Sequence, residues 1–393
     1  MNTTTHNTPK SHWLYNPKYR SIVFQLITVI VLGYGLFTIV ANTMSNLESR
    51  GITTGFDFLN QTAGFGIGFT LIDYDETYSY GRTFFVGLLN TALVSILGII
   101  FATLIGFIIG IARLSRNWLI NRCAAVYIEI FRNIPLLLQI LFWYVAVLQT
   151  LPSARQSYHL GESLFLNVRG LYLPAPVFNN GSGWVAISVL VGIGATLLIA
   201  LWTKRRFYNT GQTHSVWPYG LVLIFILPLV VFWSLGSPIS ADYPVLKGFN
   251  FRGGLTVLPE LVALWFALSI YTASFIAEIV RSGINAVEHG QSEAAMSLGL
   301  SRNKTLRLIV IPQAMLIIIP PLTSQYLNLT KNSSLATAIG YPDLVAVFAG
   351  TTMNQTGQAI EIIAMTMGVY LTLSIVTSLL MNLYNKKMAL VER

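Results

Sequence analysis

The chain has 393 residues, of which 54% are apolar and only 10% carry a charge, and its mean hydropathy is +0.62. Soluble domains hold about 25% charged residues, so this composition excludes an ordinary soluble enzyme, a disordered chain and a coiled coil, and leaves a polytopic membrane protein. The net charge of +9 fits basic loops gathered on one side of a bilayer better than nucleic-acid binding. Cys123 is the single cysteine, so no internal disulfide holds the fold.

In chain order, a polar tail over 1–20 precedes an uncharged run that is too long for the apolar core of a signal peptide. It reads as an uncleaved N-terminal transmembrane helix over 21–46. Residues 47–82 follow, with Asp57, Asp73, Asp75 and Glu76. Further stretches long and apolar enough to span lie at Thr83–Ala112, Asn133–Ala154, near Trp184–Thr203, near Val216–Gly236, about Leu258–Ile284, Leu308–Thr330 and Ile362–Asn385. Residues 155–183 and 237–257 are rich in Gly, Pro, Asn and Ser and are expected to be loops or short exofacial elements. The expected fold is an all-α integral membrane protein of about eight transmembrane helices. The runs are too long for barrel strands and do not alternate.

Placing the N-terminus in the cytoplasm puts most Lys and Arg on that side: Lys10, Lys18, Arg20, Arg113, Arg116, Arg122, Arg132, the run Lys204–Arg206, Arg281, Arg302, Lys304, Arg307, Lys386, Lys387 and Arg393. The bias predicts both termini inside. The sequence holds no G-x-x-x-x-G-K-[ST], H-E-x-x-H, C-x-x-C or G-x-S-x-G, and its five histidines have no ligand spacing. Neither a metal site nor a nucleotide site of its own is expected.

The informative segment joins the sixth and seventh spans. Glu293-Ala294-Ala295-Met296 favours a helix, Gly299 supplies a left-handed residue to end it, and Ser301 is placed to cap a second short helix. That helix runs into Pro312, which bends the entry into the next span. The small side chains of Ala294 and Ala295 would let a partner groove approach closely. A surface loop that binds nothing has the same features.

Other residues carry two readings each. Gly98, Ala102, Gly106 and Gly110 form a small-residue face in the second span, suited either to intramolecular packing or to a subunit interface. Arg132 either anchors at the membrane edge or takes part in a transport cycle. Gln139 faces a pathway or bonds a neighbouring helix. Glu278 is a functional candidate, or the partner of Arg281 one turn on. Pro320 and Pro321 with Thr323, Ser324, Gln325 and Asn328 mark a pathway-lining helix, or a kinked helix with polar glue.

Glu293-Ala294-Ala295, Gly299 and Ile311-Pro312 resemble the EAA signature of ABC-importer permeases. The flanking blocks narrow the resemblance to the polar amino-acid (histidine/glutamate/glutamine-type) family. These blocks are Tyr271–Ile284, Gly290-Gln291, Ile311–Ala314, Pro320–Thr323, Tyr127–Gln139, Lys331–Ala336 and Gly340–Leu344. The resemblance implies a type I permease core of five helices in two parts, 82–150 and 255–390. The second part includes a coupling loop over 285–305. Between them, 155–250 is an insertion with two additional helices. This layout resembles the longer permeases of broad-specificity L-amino-acid importers and of glutamate/glutamine/aspartate/asparagine importers.

The resemblance further implies the partners: a pair of cytosolic ATPase subunits, a second, related permease chain, and a periplasmic or extracellular amino-acid-binding protein. The protein would work in the lipid bilayer of the bacterial cell (inner) membrane and bind no nucleic acid. ATP and Mg would be held by the ATPase, with no cofactor on this chain, which would be a transport subunit rather than an enzyme. The competing class is an ion-gradient-driven secondary transporter of small polar solutes.

Overall fold

A computed structural model describes residues 17–49, 54–212 and 214–388. Most of the N-terminal tail, with Lys10, lies outside these residues, as does Arg393. The helices are α1 (Pro17–Ser49), α2 (Tyr80–Ala112), α3 (Trp118–Asn133), α4 (Leu136–Leu141), α5 (Ser182–Thr210), α6 (Trp217–Leu221), α7 (Leu227–Ser234), α8 (Pro259–Asn285), α9 (His289–Ser297), α10 (Arg302–Thr305), α11 (Ile311–Asn332), α12 (Met353–Thr356) and α13 (Ala359–Met388). Among the described residues, 7 helices are long and apolar enough to cross a membrane, or 8 when the bent pair α3 and Leu136–Thr150 counts as one span.

The expected spans are all present as helices, with one difference in kind. The third is no straight helix beginning at Asn133: α3 meets the segment from Leu136 at 105°. Pro135 causes the break, because a residue before proline is driven out of the α region. Ile134 is extended at φ −93°, ψ 128°, and Pro135 at φ −56°, ψ 135°. Pro135 thus sits just ahead of the first turn, and its carbonyl accepts from the Leu138 and Gln139 amides at 3.1 and 3.2 Å.

The chain divides into two compact units, Met1–Leu88 with Leu344–Thr372, and Leu89–Asp343 with Leu373–Arg393. In the first, Phe58, Ala63, Tyr80, Leu344, Phe348 and Ile362 form a buried cluster. Polar contacts tie the 54–79 loop to its neighbours. The Gly55 amide donates to Glu361 Oε1 at 2.8 Å, and the Tyr80 hydroxyl donates to Gln355 Oε1 at 2.9 Å. Thr77 donates to the Asp75 carboxylate from both its amide and its hydroxyl, which holds Asp75 below the usual carboxylate range.

In the second unit α8 is the central element, packed on α3 and α11. Ala263, Leu264, Ala267, Leu268, Ala273, Ile276 and Ala277 are wholly buried. Buried polar groups cross-link the helices. The Tyr127 hydroxyl donates to the Ile270 carbonyl at 2.7 Å, the Asn90 amide group to the Pro342 carbonyl at 2.8 Å, and the Thr103 and Tyr326 hydroxyls meet at 2.7 Å.

The segments 155–183 and 237–257, expected as loops or short exofacial elements, carry short strands. Strands β1 (Tyr158–Leu160), β2 (Leu164–Asn167), β3 (Gly170–Leu173), β4 (Ala175–Phe178), β5 (Ile239–Asp242), β6 (Val245–Lys247), β7 (Asn250–Arg252) and β8 (Leu255–Val257) form three small antiparallel sheets. β1, β2, β3 and β8 pair in that order, with Leu173 opposite Leu255. β4 pairs with β5, so strands also join at the foot of the helical hairpin α5–α7. Tyr172, Phe251 and Ala154 form a buried cluster there, with ring centroids of Phe165 and Phe251 4.5 Å apart.

Candidate coupling surface and pathway

The segment after α8 is a helix–Gly–helix hairpin. α9 ends in a Schellman motif: the Gly299 amide donates to the Met296 carbonyl at 2.9 Å and the Leu300 amide to the Ala295 carbonyl at 3.2 Å. Gly299 has φ 81°, a left-handed conformation that favours glycine. Two expectations change. Ser301 stands at the start of α10 with an extended backbone, but its hydroxyl makes no capping bond; its carbonyl accepts from the Thr305 amide instead. Pro312 does not separate a short helix from the span. A π turn over Leu306–Val310 absorbs its missing amide, so Arg302–Ile339 runs as one long helix.

The two alanines differ. Ala295 is buried, and Ala294 is exposed. Only Ala294 is therefore open to a docking groove. Glu293 is exposed and bonds His289 Nδ1 at 3.1 Å. The exposed apolar groups of the hairpin are Met296 and Leu298, the latter 83% exposed. Both stand just ahead of the helix-ending Gly299 on an otherwise polar hairpin.

The small-residue face of α2 is turned to α8 and α11. A Cβ on Gly98 would lie 3.1 Å from Leu329, and one on Gly106 would lie 2.6 Å from Ile276. Ala102 is wholly buried. The face is thus spent on packing within the chain.

Gln139 is buried at the bend. Its Nε2 donates to the carbonyls of Phe131 at 3.0 Å and Ile134 at 2.9 Å, both freed where α3 stops. Its Oε1 is buried without a partner among the described residues. The two Nε2 bonds tie the end of α3 to the start of α4. Arg132 lies over the Phe275 ring, 5.2 Å from its centroid. Glu278 accepts from Arg281 Nε at 3.0 Å and from its Nη2 at 2.5 Å, a bidentate pair half open to the surface.

On α11, Pro320, Pro321, Ser324 and Asn328 are exposed, whereas Leu322, Tyr326, Leu329 and Thr330 are buried. Thr323 and Gln325 lie between these faces, and the Thr323 hydroxyl donates back to the Ile319 carbonyl at 2.9 Å. The helix stays continuous through both prolines. Its exposed residues are apolar as far as Pro321, with Ile311 and Ile317 among them, and polar from Ser324 onward, where water or a second protein surface suits it better than lipid.

Residues 188–390 match the family described as binding-protein-dependent transport system inner membrane component. YhdX of Escherichia coli (strain K12) is 55% identical over 380 residues, 96% of each chain. The general L-amino acid transport system permease protein AapQ of Rhizobium johnstonii is 54% identical over 381 residues, 97% of this chain and 95% of its own. The glutamate/glutamine/aspartate/asparagine transport system permease protein BztB of Rhodobacter capsulatus is 41% identical over 411 residues, 97% of this chain and 96% of its own.

Proposed function

Because the chain belongs to the family of binding-protein-dependent transport system inner membrane components, we propose that it is the transmembrane permease subunit of an ATP-driven importer of polar L-amino acids. The observation that carries the reading is identity of 41% to 54% over nearly the whole chain to two relatives named for amino-acid transport. The chain sits in the bacterial cell (inner) membrane with both termini in the cytoplasm, an orientation supported by the sidedness of its basic residues.

In this reading the α9 hairpin docks on a cytosolic ATPase through Glu293, Ala294, Met296 and Leu298. ATP and Mg are held by the paired ATPase subunits, and their closure moves the hairpin. α9 packs against the π turn that opens into α11, so displacement of the hairpin is passed to the polar face of Ser324 and Asn328. That face lines the path together with a second, related permease chain. A periplasmic or extracellular binding protein delivers the amino acid. The protein binds, orients and moves, and makes or breaks no covalent bond.

The test is affinity purification from mild detergent, mass spectrometry of what co-elutes, and uptake by proteoliposomes made from it. A stoichiometric P-loop subunit and ATP-dependent uptake of a polar amino acid support the reading. Uptake by the isolated chain, driven by an ion gradient without ATP, overturns it in favour of a secondary transporter.

A further inference from the structure

We propose that the cleft between the C-terminal ends of α2 and α8 and the start of α11 is a binding site for an anionic phospholipid. The cleft encloses about 750 Å³, a volume in the range of small-molecule sites. Its floor is apolar, formed by residues such as Phe107, Leu306 and Met315, and its polar groups include Arg116 and Arg302. An apolar lining that also holds two arginines matches an amphiphilic anion, not a free polar solute.

The arginines are available to such a ligand. Both are exposed, and among the described residues no carboxylate lies within ion-pairing distance of either. Arg113, close by in sequence, is committed elsewhere: it donates to the Asn121 side chain, which donates back to the Arg113 carbonyl. Arg113 does not line the cleft.

The position selects a lipid. α2 and α8 are each long and apolar enough to span a bilayer, and the cleft lies where they end, beside the basic loops. Headgroup phosphates lie at that depth, and basic pockets between helices on the cytoplasmic side hold anionic headgroups. No residue of α9 lines the cleft, so Glu293, Ala294, Met296 and Leu298 lie outside the site. Arg302 opens α10, so a phosphate shared with Arg116 would fasten the second arm of the hairpin to the end of α2.

The experiment uses the full chain purified with whatever subunits accompany it, in nanodiscs of phosphatidylcholine with or without phosphatidylglycerol. Retained phosphatidylglycerol is measured by native mass spectrometry after detergent washing. R116Q/R302Q is expected to retain it about 30-fold less tightly, from two lost charges near a headgroup. A112W fills the cleft, keeps both arginines, and is expected to lose retention as well. R122Q changes an exposed arginine of α3 outside the cleft and is expected to match the wild type. Size-exclusion profiles show that each variant is folded, and A112W decides the matter alone should the double variant fail.

Undiminished retention in A112W overturns the proposal, and so does equal loss in R122Q, which would mark general surface charge. Inorganic phosphate that displaces the lipid from the wild type would assign the arginines to a soluble anion. Retention seen only after accompanying subunits are stripped away would assign the cleft to a partner protein.

Discussion

A Cβ on Gly110 would lie 2.7 Å from the carbonyl oxygen of Ala277 and 2.8 Å from Val280 Cβ. α2 and α8 therefore touch backbone to backbone, which is closer than any larger residue allows. G110L is expected to lower stability by about 1–3 kcal/mol, the usual range for overpacking. The readout is the thermal midpoint of the detergent-solubilised protein, and an unchanged midpoint would contradict the contact.

The hairpin of the insertion offers a sharper contrast. A Cβ on Gly192 would fall 2.1 Å from the Leu223 carbonyl oxygen, while one on Gly194 would meet nothing within 4 Å. G192A should destabilise the protein, and G194A should be neutral or slightly stabilising because alanine is the better helix former. Limited proteolysis between α5 and α6 distinguishes them. Equal cleavage of both variants would sink the idea.

Much of this architecture was legible in the chain. Uncharged runs bounded by Arg82 and Arg113, or closing at Lys386, gave helices within a few residues of their observed ends, because burying backbone in hydrocarbon leaves helix as the economical solution. Gly299 was readable because φ > 0 after a run of helix formers needs glycine. The bend at Ile134 was not read: the residue before a proline is biased out of the α region, but a proline at a helix start is also compatible with a straight entry. The strands were missed because three or four residues, such as Leu164–Asn167, are too few to establish alternation. The division of labour between Ala294 and Ala295 depends on how the hairpin packs and leaves no local trace.

Q139L removes both donors that meet the Phe131 and Ile134 carbonyls. Both bonds are part-buried, so each acceptor left alone costs at most about 1–3 kcal/mol. Partial relaxation is expected to hold the total loss to about 2–4 kcal/mol. Hydrogen exchange of amides 136–142 should accelerate in this variant; protection equal to wild type would mean that the join at the bend is maintained by other groups.

G299V forces a β-branched residue to φ 81°, at a cost of about 1–3 kcal/mol confined to the hairpin. Membrane insertion should be normal while co-purification of the ATPase falls. G299N, whose side chain tolerates the left-handed region, should retain more of it. Full association in G299V would remove the docking role from α9. L298D should weaken association without straining the backbone, which separates lost contact from lost shape.

Glu278 and Arg281 form a half-exposed pair, worth about 0–1 kcal/mol after solvent screening. E278Q should therefore leave the thermal midpoint nearly unchanged. The reciprocal exchange E278R/R281E tests whether pairing is all that matters. Uptake restored by the exchange identifies a structural pair, whereas uptake lost in E278Q and unrecovered in the exchange gives the carboxylate a position-dependent role in the cycle.

Leu173 and Leu255 face each other on one rung of the β3–β8 ladder. The chain leaves for the helical hairpin α5–α7 and returns from it at a single point, so the β3–β8 ladder meets the same two ends whatever lies between them. A short turn closing that rung would remove both spans of the hairpin and leave the β3–β8 pairing in place. The helical hairpin is in this sense a detachable side-branch, free to lengthen, shrink or acquire a partner of its own over generations without re-threading the transport core.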